Sequence, residues 1–211
     1  MKKLKLLFLV ITSIAVLTAC EDKYSTENLK KDNKLLKETV AKCKEKYDEK
    51  ICKNLEQVQN ELLQEAWNKV KPEIKERLDK VSKALEAGDL TASMNEVPEK
   101  YLKYQSDKVS MSMERLREMT KKAFDNLTSG MKIIKNNYDI ENAKVGKTET
   151  GRKYAIIPTT ALMKVNGRTV ETKGKSIAFE DENQWYVINV DKDFKFFIEG
   201  VYPDLAKVKV D

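Results

Sequence analysis

The 211-residue sequence predicts an α+β fold, with an N-terminal export signal, a helical hairpin, and then helices packed on a curved antiparallel sheet. Three observations carry this expectation. Apolar residues recur at spacings of three, four and seven as far as residue 129, the period of one helix face. From Met131 the pattern shortens to runs rich in β-branched and aromatic residues. Between two such runs stands "VNGR" (165–168), whose Asn-Gly pair suits a two-residue hairpin turn.

At the N-terminus, Lys2, Lys3 and Lys5 precede an apolar run from Leu6 to Leu17 broken only by Thr12 and Ser13, and Ala19 offers a small residue for cleavage. The run is short for a spanning helix, which needs roughly 20 apolar residues. Its ending, Leu17-Thr18-Ala19-Cys20, resembles the bacterial lipobox. That resemblance implies a bacterial lipoprotein: cleavage before Cys20, diacylation of its sulfur and, in many bacteria, a third acyl chain on the new amino terminus. Each buried acyl CH₂ adds about 0.8 kcal/mol of membrane affinity, so two or three chains hold a domain on a bilayer. The expected place is the cell envelope, lipid-anchored and facing the periplasm, on the outer membrane in preference to the inner. An uncleaved anchor or a plain export signal is the alternative, and either leaves Cys20 unacylated. The formal charge of +6 includes the three early lysines, and their removal leaves +3. With 35% of residues charged and both signs interspersed, no nucleic-acid partner is expected, because such a surface needs clustered charge.

Two further cysteines, Cys43 and Cys52, remain for an exported chain to oxidise. On one continuous helix, nine residues rise about 13 Å, too far for a disulfide. A bridge therefore needs a chain reversal, and Tyr47-Asp48-Glu49-Lys50 is the place for it. The spacing predicts one helix over 26–47, with Leu29, Leu36, Val40, Cys43 and Tyr47 on a face, and a second over 51–70 with Ile51, Leu55, Val58, Leu62 and Ala66. A single long helix with two free thiols is the rival arrangement. A metal site is not expected, since the chain has no His.

Residues 32–61, "DNKLLKETVAKCKEKYDEKICKNLEQVQNE", resemble the small entry-exclusion lipoproteins of conjugative elements at Leu35, Leu36, Ala41, Cys43, Cys52, Asn54 and Gln57. The resemblance implies a protein that meets an incoming secretion apparatus at the envelope and blocks redundant transfer. A charged stalk stapled by a disulfide is the plainer alternative.

From Pro72 a new helix is expected, running Glu73 to Ala87 on the stripe Ile74, Leu78, Val81 and Leu85, with Gly88 as its C-cap. A turn follows, then a short helix opened by Pro98. Residues 110–129 form another, on Met113, Leu116, Thr120, Phe124 and Leu127. Strands are expected within 131–146, 152–165, 168–181 and 184–191, and a short helix over 193–200. The domains are thus 1–19 (signal peptide), 20–71 (lipid-anchored hairpin) and 72–211 (α+β domain). The long helix ending in Gly88-Asp89, the extended "YAIIPTT" and the run from Asp181 to Ile188 make 72–211 resemble the nuclear-transport-factor-2-like (SnoaL-like) cone.

That resemblance implies a pocket between sheet and helices, where the family's enzymes keep a carboxylate base and a Tyr or protonated-acid donor. Tyr154, Trp185 and Tyr186 are the candidate pocket residues, with Tyr138, Asp139 and Asp89 as further candidates. Packing on alternating sheet faces is the competing role for Tyr154, Trp185 and Tyr186. Pro158 is expected to mark a bulge or an edge. Met111, Met113 and Met119 offer either helix core or an adaptable binding surface. No spacing singles out a catalytic set, so the reading is a non-catalytic envelope binding protein without a cofactor. Its partners would be membrane lipid through Cys20 and an envelope or secretion-apparatus protein. A small-ligand or enzymatic pocket and a structural spacer are the alternatives. Replacement of Cys20 by Ser should abolish labelling by radioactive palmitate and block maturation. Intact-mass measurement of an unmodified Cys20 in the mature membrane fraction would refute the anchor.

Overall fold

The computed structural model describes residues 22–89, 91–127, 130–191 and 194–210; the expected export signal and Cys20 lie outside them. The described residues form two compact units, one up to Leu62 and one from Leu63 on.

In the first unit, helix α1 (Thr26–Lys31) ends at Asp32, and α2 (Asn33–Glu45) begins there. The single helix expected over 26–47 is therefore two. Asp32 explains the break: its carboxylate accepts from the N–H groups of Lys34 and Leu35 at 2.9 and 3.0 Å, an N-cap in extended backbone that a helix interior cannot offer. The break rotates the buried stripe to Leu29, Leu35 and Thr39, while Leu36 and Val40 are half-buried and Tyr47 is exposed. After a short turn, Asp48 caps α3 (Glu49–Glu86) by accepting from Ile51 N–H at 3.0 Å. Cys43 and Cys52 are bonded across this reversal with Cα atoms 5.8 Å apart. Leu29, Leu35, Leu55 and Val58 form the small core beneath it.

Helix α3 runs through Pro72, where a new helix was expected. Proline deprives the Asn68 carbonyl of its helical donor. The helix persists because Trp67, Ile74 and Leu78, on both sides of Pro72, bury on one stripe against the sheet. Trp67 takes the core position rather than its neighbour Ala66. At the far end Gly88, at φ +97°, lets its own N–H reach the Leu85 carbonyl and Asp89 N–H reach that of Ala84, at 3.1 and 2.8 Å.

A 3₁₀ turn (Ala92–Glu96), α4 (Glu99–Lys108) and α5 (Met113–Leu127) follow. The sheet then unrolls as β1 (Met131–Tyr138), β2 (Lys144–Lys147), β3 (Lys153–Val165), β4 (Arg168–Asp181) and β5 (Gln184–Val190). All pairings are antiparallel in the order β1-β3-β4-β5, and the sheet curls strongly into a half-barrel. Strand β2 shares with β1 the same edge of β3: Tyr138 opposes Thr159, and Lys144 opposes Ile156. Pro158 falls in the gap between them, where its missing N–H costs no ladder bond, so it marks an interruption of the edge. The Asn166-Gly167 turn closes β3 on β4 with both residues at positive φ. Glu182-Asn183 closes β4 on β5 in the same way.

Over its base the sheet is covered on both faces. Ala155, Ile157, Ala178, Trp185 and Val187 face α3, while Ile156, Ile177 and Phe179 face the C-terminal layer of α6 (Phe194–Ile198) and α7 (Pro203–Ala206). Each buried Ile or Phe contributes roughly 1.5–3 kcal/mol relative to exposure. An ionic latch fixes that layer. Arg152 donates to Asp204 at 3.0 Å and to Asp181 at 2.8 Å, and its guanidinium stacks 4.9 Å from the Tyr202 ring. Tyr202 donates its hydroxyl to Asp181 at 2.8 Å, and Thr148 and Thr150 donate to Asp204 at 2.9 and 2.8 Å.

Burial pushes the Asp204 carboxyl upward, but hydrogen bonds from Thr150, Thr148 and Arg152 outweigh it and hold the group below its usual 3.8. Asp181 is lowered in the same way, against burial, by Arg152 and Tyr202. A carboxyl whose folded pKa lies below its unfolded one adds stability above the unfolded value and loses it as pH falls through the folded one. The latch should therefore be complete at neutral pH and weaken as pH drops below 3.8. Asp204→Asn should cost about 3 kcal/mol at neutral pH and shrink the further loss on acidification. Thermal unfolding midpoints at neutral and acid pH measure both.

Candidate functional site

Beyond the doubly covered base, β5 and the end of β1 meet α4 and α5 across a cavity of about 700 Å³. Its wall is apolar over most of its extent: Met94 and Val97 before α4, Tyr101 and Leu102 on α4, Leu116 on α5, Val187 and Ile188 on β5, and Phe194 and Ile198 on α6. Polar groups are few: Ser93, Gln105, Thr120, Asn189 and Asp191, with the hydroxyls of Tyr101 and Tyr138. This volume and lining are those of sites that enclose small organic ligands.

The walls differ in how firmly they are held. Arg77 on α3 pairs with the nearly buried Glu96 and donates to the Trp185 carbonyl at 3.0 Å, which pins the 3₁₀ turn to β5. Helix α4 is tied to the C-terminal layer, where a Cβ added at Gly200 would lie 1.9 Å from the Tyr104 hydroxyl and Lys100 sits 5.2 Å from the Tyr202 ring. Helix α5 is different. Among its described side chains none is buried, and Met113, Leu116 and Thr120 are half-buried on the side that lines the cavity. For the methionines of this segment the sequence left helix core and an adaptable surface open. Met111 and Met119 are exposed, which removes the core role for them.

Both cavity tyrosines keep their protons. Burial raises the Tyr101 hydroxyl, with the Asp191 charge adding to it against a hydrogen bond with Gln105. Burial likewise raises Tyr138, opposed by a hydrogen bond with Asn136 and assisted by the Glu96 charge. They are hydrogen-bond donors at neutral pH.

The candidates chosen from the sequence do not converge on this cavity. Trp185 is buried against Trp67, with ring centroids 5.6 Å apart, on the α3 face of the sheet. Tyr154 and Tyr186 pack with the residues of the opposite face. The Tyr154 ring covers its cross-strand partner Gly146, so closely that a Cβ there would lie 2.3 Å from it. Tyr186 donates to Gln184 at 2.7 Å. Asp89 and Asp139 cap turns, accepting from Thr91 and Asn142. Of the six, Tyr138 alone lines the cavity. The reading missed Tyr101, Leu102 and Gln105, although their i, i+1, i+4 spacing does place them on one side of a helix. In the first unit Asn54 donates to the Tyr24 carbonyl at 3.0 Å and Gln57 to Glu61 at 2.7 Å, both contacts that brace the helices.

Among the described residues, no helix is long and apolar enough to cross a membrane, and no cluster of three His, Cys, Asp or Glu side chains could hold a metal ion. No protein-family model, no curated protein and no solved structure matches the chain.

Proposed function

We propose that this protein is a non-catalytic binding protein, held at the bacterial envelope through acylated Cys20, whose cavity takes a small apolar or amphipathic ligand. The observation that carries this reading is the cavity of about 700 Å³ with an apolar wall and few polar groups. The two tyrosine hydroxyls suit a hydrogen bond to the polar end of such a ligand, and their raised pKa values keep them protonated at neutral pH, so neither stands ready as a general base. The carboxylates that the sequence offered as bases, Asp89 and Asp139, are spent on turns and do not line the cavity. The half-buried face of α5 provides a wall that a ligand can complete.

Titration with the neutral fluorophore 1-aminoanthracene tests this. Ala123, an exposed residue of α5 that lines the cavity, is the point at which to fill it without disturbing the core. Ala123→Trp should weaken binding about tenfold, or 1.4 kcal/mol, with the unfolding midpoint unchanged. Equal affinity in the two proteins, or no binding to either, would sink the cavity reading.

The resemblance at residues 32–61 supports a physiological setting for such a protein: entry exclusion, in which it meets an envelope or secretion-apparatus partner of an incoming mobile element. The lipid anchor would then supply local concentration. Recipients making the protein should take up the cognate element less often than recipients without it, and Cys20→Ser should restore uptake. Conjugation frequency is the measurement, and equal frequencies across candidate elements argue against exclusion while leaving the cavity test independent.

A further inference from the structure

Strand β4 is longer than the strand that covers it. It pairs with β3 from Arg168 to Phe179, but β5 pairs only from Lys175 onward, where Lys175 opposes Val190. Residues 168–174 consequently present one edge with no ladder partner among the described residues, and all seven are exposed. An open edge of this kind is a template for another strand.

We infer that residues 170–174 of this edge pair antiparallel with the same residues of a second copy of the chain, about a two-fold axis at Thr172. Charge decides the partner and the register. A two-fold axis perpendicular to the sheet keeps each residue on its own face, so the strands meet centred on a residue rather than between two. Centring on Glu171 opposes two glutamates, and centring on Lys173 opposes two lysines. Centring on Val170 leaves Glu171 and Lys173 without a charged partner. Centring on Thr172 sets Glu171 of each copy against Lys173 of the other, twice. Within one chain these two side chains already lie on one face with charged groups 3.9 Å apart, so the pairing closes a ring of four alternating charges.

Shape agrees with charge on the opposite face. In this register Val170, an exposed apolar side chain, stands against Gly174, which has none. A guarding lysine keeps strands off an edge because pairing would strand its charge. Here the incoming Glu171 removes that penalty for a second copy and for few other strands. A shared membrane surface raises the encounter frequency of two anchored copies, though the edge itself does not depend on the anchor.

Cysteine cross-linking in membranes of cells making the full chain tests the register. Thr172→Cys should give disulfide dimers on oxidation, because the two copies meet there, and Val170→Cys should give few. Adding Glu171→Lys to Thr172→Cys opposes like charges and should lower the dimer yield roughly tenfold. Adding Glu171→Lys and Lys173→Glu together should restore it. All four positions are exposed, and unchanged unfolding midpoints confirm that the variants fold. Equal yields from Thr172→Cys and Val170→Cys, no dimer from either, or failure of the charge swap to restore the yield would each overturn the inference.

Discussion

Two neighbouring strands are buried from both sides over a short stretch, Ala155–Ile157 on β3 against Ser176–Phe179 on β4, and the rest of the second unit is arranged around that fact. A strand stretch buried on one face can alternate apolar and polar residues, whereas one buried on both must be apolar nearly throughout. Ser176 is the exception, and it satisfies its hydroxyl on Asn189 at 2.8 Å. Two-sided burial requires two covering layers. One is α3, which the demand for Trp67, Ile74 and Leu78 keeps helical across Pro72. The other is the C-terminal segment, which is too short to hold itself by helix formation and is fixed instead by Arg152 and its carboxylate partners.

The cavity follows from the same arrangement. Once α3 and the C-terminal layer occupy the two faces of the base, α4 and α5 remain for the flank of β5. Helix α4 joins the C-terminal layer through Tyr101 and Tyr104, whereas none of the described side chains of α5 is buried. An apolar stripe that reaches neither core nor solvent leaves a space behind it.

Much of this was legible in the sequence wherever a local rule acts alone. Gly88 ends a helix because positive φ is cheap only for glycine, and Asn166-Gly167 closes a hairpin for a related reason. That a Cys43–Cys52 bond needs a chain reversal followed from helix rise and bond length, and the structure has both the bond and the reversal. The misses occurred where a distant contact outvoted a local preference. Pro72 reads as a helix start, yet packing on either side carries the helix through it. Asp32 looks like one more charge in a charged helix, and its capping role appears only once Leu29 and Leu35 are seen to share a core. Glu182-Asn183 lacks the glycine of such turns, yet the strands expected to end at 181 and begin at 184 bracket it as the structure does. The candidate site was the least legible part. Strand aromatics attract notice, but Tyr154 is occupied in covering Gly146 and Trp185 in meeting Trp67, while the cavity collects its lining from the 3₁₀ turn, α4, α5, β1, β5 and α6.

The bond between Cys43 and Cys52 also sets a chronology. The core it braces has four buried aliphatic side chains, Leu29, Leu35, Leu55 and Val58, shared among three helices. So few side chains rarely balance the conformational entropy of a segment this long, and small scaffolds of the kind depend on a covalent staple. A chain in a reducing compartment lacks this staple and has only those side chains to hold its helices together. Under the proposed export, oxidation after transport would close the staple, and the helical hairpin would then mature later than the sheet it precedes in sequence. Protein recovered from a reducing cytoplasm and protein recovered from an oxidising envelope would be two different objects over their first forty described residues, with one amino-acid sequence between them.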